Sequence, residues 1–351
     1  MNAISIEEKP DNPKSSYAKV RCQKTIMNIL VTGGAGFIGA NFINHMLSKY
    51  DYPIVNLDLL TYAGNLNNLK DVSKNSNYHF VQGDIGNKEL VNELFQQFDI
   101  QAVINFAAES HVDRSIEDPS LFFKTNLLGT ETLLEVDFKE NVKFIQISTD
   151  EVYGTLEEFG YFTEETNLAP NSPYSASKAS ADMIVRAYHA TYGLPVVITR
   201  CSNNYGPYQY PEKLIPLIID HALKNEPIPI YGDGKQVRDW LYVKDHCVAI
   251  DTVLHSGELG EIYNIGGNNE KENIEIVKLI LKYLNKSEEL IDYVEDRLGH
   301  DRRYAIDNTK VRRKLDWNPS CTFEEGLKMT IDWYLSNLDW RESLIRADKI
   351  V

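Results

Sequence analysis

Short apolar runs alternate along the chain with longer helical stretches. β-branched and aromatic residues concentrate at 27–33, 53–58, 78–84, 102–108, 143–148 and 195–200. The segments between these runs are long enough to hold crossover helices, which parallel strands require. The pattern therefore predicts an α/β fold built on a doubly wound, parallel (Rossmann-type) sheet.

The character of the chain changes after residue 200, where Pro, Gly and aromatic residues become frequent. Helical patterns return at about 272–284 and 323–336. We expect 27–200 to form the Rossmann domain and 201–338 to form a smaller mixed α/β lobe that mainly binds substrate. Residues 1–26 are expected to be a disordered N-terminal extension, and 339–351 a C-terminal tail.

The overall charge limits the partners that the protein can attract. The 351 residues include 36 Lys and Arg against 51 Asp and Glu, for a net charge of −15. An acidic surface repels nucleic acid and anionic lipid, so we expect neither nucleic acid nor a membrane as a partner. An anionic ligand must therefore be held by basic residues close to its site.

The cysteines and the amino terminus indicate a reducing compartment. Cys22, Cys201, Cys247 and Cys321 lie far apart and form no CxxC pair, which argues against a disulfide framework and against a zinc site. The polar amino terminus lacks the apolar core of a secretory signal. We therefore expect a cytoplasmic protein without a metal.

The first apolar run leads into a glycine-rich turn, GGAGFIG. Gly33, Gly36 and Gly39 have the spacing that lets a backbone turn tightly, approach a pyrophosphate and pack a helix on a sheet. Asp58 ends the second run, where an acid accepts hydrogen bonds from an adenosine ribose and repels a 2′-phosphate. This context predicts NAD in preference to NADP. The alternative for Asp58 is a helix cap or a solvated turn acid, and Asp84 after the third run either reaches the adenine or is a simple turn residue.

A second motif, NSPYSASKASAD, places a tyrosine and a lysine on one helical face. Ser172 is typical of a helix N-cap, and Pro173 of the first helical position. Tyr174 and Lys178 then lie one turn apart. A nearby ammonium and a nicotinamide cation would favour the phenolate of Tyr174 and make it a base. In isolation, the same spacing is also compatible with an exposed tyrosine and lysine.

The run at 143–148 ends in STDEVYG, which puts two acids side by side where a strand leaves its sheet. Asp150 and Glu151 can divide the roles of acid and base only if their environments keep one protonated and the other ionised. The alternative is that they cap the following turn, for which a single acid is enough.

Four motifs in this order, GGAGFIG, NFAAESHVDRSI, STDEVYG and YSASK, resemble the extended short-chain dehydrogenase/reductase superfamily. The resemblance covers about residues 27–338. Within the superfamily the chain is similar to the sugar-nucleotide dehydratases, because related epimerases generally lack the pair formed by Asp150 and Glu151. Leu298, in DRLGHDRRY, stands where these dehydratases often have proline.

The resemblance implies dehydration of a nucleotide-linked glucose with tightly bound NAD that is regenerated in each turnover. By this resemblance Tyr174 accepts the proton of the 4-hydroxyl, Lys178 steadies the phenolate and the cofactor ribose, and Thr149 binds the 4-oxygen. Glu151 then removes the proton of carbon 5, and Asp150 protonates the departing 6-hydroxyl.

The resemblance also assigns individual contacts. The cofactor-side residues are Gly33, Gly36, Phe37, Ile38, Gly39, Asp58, Leu59, Thr61, Asp84, Ile85, Ala107, Ala108, Ser110, Thr125, Tyr174 and Lys178. The substrate-side residues are Ser110, Thr149, Asn203, Lys213, Leu214, Pro229, Tyr231, Arg238, Asn273, Asp296, Arg297 and His300. Arg238 and Arg297 suit a diphosphate through their planar guanidinium groups, and the alternative for them is a surface ion pair. The alternative for Leu214, Pro229 and Tyr231 is simple packing.

The resemblance favours a homodimer that acts on dTDP-glucose. Three other functions stay open at this point. One is a UDP-glucose 4,6-dehydratase, since uracil and thymine differ by a single methyl group. Another is a UDP-sugar epimerase or decarboxylase on the same scaffold. The third is a non-catalytic NAD-sensing module, which would have no need of the acids beside Tyr174.

Overall fold

The computed structural model describes residues 27–341 and 344. The expectation of a disordered extension at 1–26 lies outside the described residues. Within the described part of the chain, no helix is long and apolar enough to cross a membrane. The same part contains no group of His, Cys, Asp or Glu side chains arranged to hold a metal ion.

The predicted Rossmann-type sheet is confirmed. Twelve strands are described: β1 Ile29–Thr32, β2 Ile54–Asp58, β3 Tyr78–Gln82, β4 Ala102–Asn105, β5 Lys143–Thr149, β6 Val196–Cys201, β7 Asn203–Tyr205, β8 Ile228–Tyr231, β9 Val237–Tyr242, β10 Ile262–Ile265, β11 Glu270–Glu272 and β12 Ile291–Val294. Seven of them form one sheet in the order β10-β6-β5-β4-β1-β2-β3, and every pairing in it is parallel.

Helices connect the strands. They are α1 Phe37–Lys49, α2 Lys88–Phe98, α3 Val112–Glu117, α4 Pro119–Phe122, α5 Thr130–Glu140, α6 Pro173–Tyr192, α7 Leu214–Lys224, α8 Val243–Ser256, α9 Asn273–Tyr283, α10 Thr309–Leu315 and α11 Phe323–Ser336. A π-helical turn, Phe123–Gly129, joins α4 to α5. Both helices expected in the carboxyl-terminal half are present as α9 and α11.

Two apolar layers cover the sheet because successive strand residues point to opposite faces. Ile29 and Val31 of β1 pack with α1 and α8 on one face, whereas Leu30 packs with α2, α5 and α6 on the other. Strands buried on both faces read as continuous apolar runs, which is why the sequence revealed them.

The carboxyl-terminal part forms a second core. β9 pairs with β7 in parallel and with β11 in antiparallel orientation, and β8 pairs with β12. Helices α7, α9 and α11 close this core. The chain also returns to the large sheet, because β10 pairs in parallel with β6. The large sheet therefore includes a strand from beyond residue 200. The boundary that we expect at this residue, between a cofactor domain and a substrate lobe, remains a prediction.

The described part of the C-terminal tail is packed. Residues 338–341 are helical, and the indole nitrogen of Trp340 donates to Asn68 Oδ1 at 2.7 Å. Trp340 and Leu344 are both buried in the second core. The tail thus ties the end of α11 to the turn that follows β2.

Candidate active site

A cavity of about 320 Å³ opens at the carboxyl ends of the central strands. The strand order reverses at β1, which lies between β2 and β4. Ligands of open α/β sheets bind at this reversal, where loops from adjacent strands diverge. All sixteen cofactor-side residues expected from the sequence line the cavity: Gly33, Gly36, Phe37, Ile38, Gly39, Asp58, Leu59, Thr61, Asp84, Ile85, Ala107, Ala108, Ser110, Thr125, Tyr174 and Lys178.

The glycine turn has the geometry of a phosphate cradle. Gly33 has φ of +67°, and a Cβ placed there would lie 2.7 Å from the Cα of Ala107. Helix α1 begins immediately after the turn, and no side chain caps its first turn at Gly36. The first N–H groups of a helix lack intrahelical partners, so this end of α1 offers donors and a positive dipole end to an anion.

Asp58 holds the glycine turn against the end of β2. Its Oδ2 accepts from the amide of Ala35 at 2.8 Å, and its Oδ1 accepts from Leu60 at 2.8 Å. Burial raises the pKa of Asp58, and these two backbone hydrogen bonds counteract that rise. Each carboxylate oxygen keeps a further lone pair, so the same group can also accept hydrogen bonds from ribose hydroxyls.

Thr149 ends β5 and starts a short 3-10 turn, Asp150–Tyr153. Its hydroxyl accepts from the amide of Glu151 at 3.2 Å and therefore caps the turn. Among the described residues, the buried Oδ2 of Asp150 has no hydrogen-bond partner. Thr149 thus caps the turn without either acid, and its hydroxyl also donates to Asp150 Oδ1 at 3.3 Å.

Asp150 and Glu151 experience different electrostatic surroundings. Burial, followed by the charges of Glu151 and Asp239, raises the pKa of Asp150 well above its usual range. Burial also raises the pKa of Glu151, but Arg238, Lys213 and Arg297 act in the opposite direction. Asp150 is therefore the carboxyl group that retains its proton more readily, and Glu151 is the one that cations favour as carboxylate.

Helix α6 begins where the sequence predicts, and it places Tyr174 and Lys178 in the cavity. Ser172 is the N-cap, its side chain bonds reciprocally with Ser175, and Pro173 is the first helical residue. Tyr174 and Lys178 are both buried. The Nζ of Lys178 donates to the carbonyl oxygen of Ile147 in β5 at 2.7 Å, which fixes the ammonium between helix and sheet.

The protonation of Tyr174 depends mainly on its burial and on a neighbouring carboxyl group. Burial and the charge of Glu151 raise the pKa of Tyr174 well above its usual value. Burial meanwhile lowers the pKa of Lys178, and its Nζ is directed at Ile147. Desolvation thus favours the neutral phenol, whereas positive charge, such as that of the nicotinamide in the prediction, favours the phenolate.

The expected substrate-side residues fall into two groups. Ser110, Thr149, Asn203 and Lys213 line the cavity, and Lys213 Nζ donates to the carbonyl of Ser110 at 2.8 Å. A second group surrounds the segment after β12. Tyr231 packs edge-on against His300 with ring centroids 6.2 Å apart, and Arg297 lies 5.1 Å over the Tyr231 ring. His300 Nδ1 and Asp296 Oδ1 are 2.6 Å apart.

Arg238 lies on β9 beneath this second group. Its guanidinium donates to the carbonyl oxygens of Val237 at 2.8 Å and of Asp301 at 2.9 Å, and it stacks 4.2 Å over the ring of Tyr304. Leu214 and Asn273 begin α7 and α9, and Pro229 lies in β8. Eight of the twelve expected substrate-side residues are therefore not among the described residues that line the cavity: Leu214, Pro229, Tyr231, Arg238, Asn273, Asp296, Arg297 and His300.

The structure adds residues that the sequence reasoning did not single out. Asn126, in the π-helical turn, accepts from the amide of Glu109 at 2.8 Å and donates to its carbonyl at 3.0 Å. It also donates to Ser177 of α6 at 2.8 Å, so it joins the loop after β4 to the helix that carries Tyr174. Tyr62 donates to Glu212 at 2.8 Å across the cavity mouth. No pattern in the sequence singled out Asn126, because its partners Glu109 and Ser177 lie 17 and 51 residues away.

The fold, the glycine turn and the tyrosine–lysine helix define a Rossmann-type enzyme of the short-chain dehydrogenase/reductase class. The family model described as GDP-mannose 4,6 dehydratase matches residues 30–330. A relative from Xanthomonas campestris pv. campestris (strain B100), named dTDP-glucose 4,6-dehydratase, is 56% identical over 335 residues, covering 90% of this chain and 95% of the relative.

Solved structures agree with this grouping. A dTDP-glucose 4,6-dehydratase from Bacillus anthracis str. Ames in complex with NAD is 57% identical with a TM-score of 0.86, covering 91% of this chain and 99% of that one. DesIV, the dTDP-glucose 4,6-dehydratase of Streptomyces venezuelae with NAD and TYD bound, is 47% identical with a TM-score of 0.88, covering 91% of this chain and 100% of that one. The chain belongs to the nucleotide-sugar 4,6-dehydratase family, and several relatives at 50% identity or more are named dTDP-glucose 4,6-dehydratase.

Proposed function

We propose that the protein is an NAD-dependent hydro-lyase that converts dTDP-glucose into dTDP-4-keto-6-deoxyglucose and water, a precursor of deoxysugars such as rhamnose. One observation carries the proposal: Asp150 and Glu151 enter the same cavity as Thr149, Tyr174 and Lys178. Oxidation alone, epimerisation or NAD sensing has no use for two acids beside the tyrosine. Elimination of water needs one acid and one base.

The cavity suits NAD on structural grounds. The glycine turn offers backbone donors to the pyrophosphate, and Asp58 ends β2 at the ribose position. When bound, NAD accepts the hydride of carbon 4 and gives it back at carbon 6. A cofactor that is restored within each turnover has no reason to leave, so we expect it to be retained through purification.

The first half of the reaction uses helix α6 and the end of β5. Tyr174 takes the proton of the 4-hydroxyl while the hydride of carbon 4 is transferred, which leaves a 4-ketone. Lys178 supplies a fixed positive charge behind the tyrosine, and Thr149 binds the 4-oxygen. The positive charge of the bound nicotinamide compensates for the burial that raises the pKa of Tyr174.

The second half uses the pair of acids. The ketone acidifies the hydrogen of carbon 5, which Glu151 removes as a proton, and Asp150 gives its proton to the departing 6-hydroxyl so that water leaves. Hydride then adds to carbon 6, and Glu151 returns its proton to carbon 5. The proton that Tyr174 gained equals the one that Asp150 gave to water, so the net change is the loss of one water once that proton has passed back to Asp150. The different surroundings of the two carboxyl groups support this assignment.

The remaining substrate residues bind the nucleotide diphosphate. We assign Lys213, Arg238 and Arg297 to its negative charge, because the chain is acidic overall and all three cations act on the pKa of Glu151. Ser110 and Asn203 line the cavity, and we assign them to the sugar. We assign binding of the nucleoside to the remaining residues that the family resemblance implies: Leu214, Pro229, Tyr231, Asn273, Asp296 and His300.

The purified enzyme, incubated separately with dTDP-glucose and UDP-glucose, tests the function. We expect the 4-keto-6-deoxy product from dTDP-glucose without net formation of NADH. Net NADH in proportion to product would identify an ordinary dehydrogenase instead. A 4-epimer as product would identify an epimerase, and product from UDP-glucose alone would identify the sister dehydratase.

We further propose a homodimer located in the cytoplasm. Apolar side chains of α5 and α6 are exposed, including Phe138 at 48%, Met183 at 52% and Tyr192 at 55%, and Phe138 packs on Tyr192 with centroids 4.9 Å apart. A second copy would cover this face, since large exposed apolar patches mark interaction sites. The thiols of Cys201, Cys247 and Cys321 are free, which suits a reducing compartment. Light scattering of the purified protein measures the oligomeric state.

A further inference from the structure

Asp113 holds the guanidinium of Arg297 with both of its carboxylate oxygens. Arg297 Nε donates to Asp113 Oδ1 at 2.5 Å, and Arg297 Nη2 donates to Asp113 Oδ2 at 2.8 Å. Asp113 lies on α3, next to the loop after β4, whereas Arg297 lies on the segment after β12. The pair therefore connects α3 to the segment after β12 through charge-assisted, bidentate hydrogen bonds.

The geometry leaves one edge of the guanidinium uncommitted to Asp113. An arginine has five N–H donors in a planar fork, and Asp113 uses the Nε donor and one Nη2 donor. The opposite edge, formed by Nη1 and the second hydrogen of Nη2, is the edge that binds a phosphate in bidentate fashion. The ring of Tyr231, 5.1 Å from Cζ, covers a face of the same group.

The positive charge of Arg297 also affects Glu151. Arg297 and Lys213 both lower the pKa of Glu151, and the charges of Arg297 and Lys213 also act on each other. Lys213 lines the cavity, and Arg297 acts on the same acid, so the space between these two cations favours an anion. Asp113 neutralises part of that charge and at the same time fixes the direction of Arg297.

We propose that Asp113 is a positioning residue for the substrate: it fixes one edge of Arg297 so that the other edge is preset to bind the diphosphate of the nucleotide sugar. This inference rests on the proposed function of the site. An unpaired arginine would have to lose the freedom of its long side chain when the diphosphate binds, and a partner that orders it beforehand removes that cost. A carboxylate that merely competed with phosphate for Arg297 would have the opposite effect on affinity.

Binding measurements on the NAD-loaded enzyme test the proposal. Asp113→Ala should raise the Kd of dTDP at least about tenfold, while the Kd of thymidine, which has no phosphate, changes less than about twofold. The KM for dTDP-glucose should rise in parallel with little change in kcat, and Asp113→Glu should restore part of the affinity. Glu117→Gln removes one charge from the exposed end of the same helix and should leave both Kd values unchanged.

A double-mutant cycle shows whether Asp113 acts through Arg297. In an Arg297→Ala background, Asp113→Ala should cause no further loss of dTDP affinity. If Asp113→Ala fails to fold, as judged by its melting temperature, Asp113→Asn decides, because it keeps the shape of the side chain and removes the charge. Unchanged or tighter dTDP binding in Asp113→Asn would overturn the inference alone, whereas wild-type enzyme that binds neither dTDP nor UDP would overturn the proposed function as well.

Discussion

Lys178 Nζ lies 2.7 Å from the carbonyl oxygen of Ile147, so the helix that carries Tyr174 is joined directly to the strand that carries Thr149. This contact aligns the groups to which we assign the oxidation of the sugar. Preset geometry of this kind is a large part of what an active site contributes to rate.

Tyr174→Phe tests the base of the oxidation step. The substitution removes the phenolic oxygen and leaves the ring, its edge contact with Phe122 and the helix in place. We expect product formation to fall at least about a hundredfold, the usual scale for a lost acid or base, while NAD content stays near the wild-type value. Turnover close to that of the wild type would contradict the role of Tyr174.

Replacing each acid by its amide should block the reaction at a different step. Glu151→Gln should still form enzyme-bound NADH in a single turnover, because oxidation precedes removal of the carbon 5 proton, but it should lose exchange of solvent deuterium into carbon 5. Asp150→Asn keeps the base, so exchange should continue while water loss slows by about 10² to 10⁴. Mass spectrometry of the sugar after a quench measures both. The opposite pattern would reverse the two roles.

Gly39→Ala should damage the cofactor site through sterics alone. A Cβ at this position would lie 2.8 Å from the Cα of Gly34 and would also meet the carbonyl oxygen of Gly33. Because both are backbone atoms, the turn must open, and overpacking of this kind costs about 1 to 3 kcal/mol. We expect loss of bound NAD and a lower melting temperature of the NAD-free protein. Retention of NAD at the wild-type level would show that the turn is more adaptable than its packing indicates.

Asp251 links α1 to α8 through several hydrogen bonds. It accepts from Lys49 at 2.7 Å and from Tyr50 at 3.0 Å, and it pairs with His45 at 2.8 Å and His255 at 2.9 Å. Burial alone would raise the pKa of Asp251, but the hydrogen bonds hold it well below the usual range. Asp251→Ala should therefore reduce the free energy of unfolding by about 3 kcal/mol, as expected when one partner of a buried ion pair is removed.

The pH dependence of this cluster has a definite sign. The hydrogen bond to Asp251 raises the pKa of His255 above 6.5, so its stabilisation is fully present below pH 6.5 and is lost as the pH rises through the folded-state pKa. The depressed pKa of Asp251 keeps its own contribution present above the unfolded value of 3.8. The free energies of unfolding of wild type and His255→Gln, measured with denaturant, should converge as the pH rises through the folded-state pKa of His255. A difference that grew with pH would contradict the assignment.

Local sequence patterns predicted the large sheet and the start of the catalytic helix because both depend on neighbouring residues. The run at 143–148 became Lys143–Thr149, and the pair Ser172 and Pro173 became the N-cap and the first residue of α6. Strands buried on both faces are apolar throughout, and caps satisfy donors a few residues away. A short stretch of sequence is therefore enough to predict these features.

Features that depend on distant partners could not be predicted in this way. Strand β10, Ile262–Ile265, has only four residues, and its place in the sheet comes from pairing with β6. The bidentate contact between Asp113 and Arg297 joins positions 184 residues apart. The protonation of Tyr174 depends on burial and on Glu151, neither of which follows from the spacing of a motif.

The position of β10 late in the chain affects folding during synthesis. Without it, β6 would be the edge of the sheet, and Val196–Cys201 is buried along its whole length. An exposed apolar edge is a template for pairing with other chains. A fragment that stops near residue 200 should therefore aggregate, and during synthesis the sheet stays open to such pairing until residue 265 has emerged. The carboxyl-terminal half thus protects the amino-terminal half from self-association as well as completing its fold.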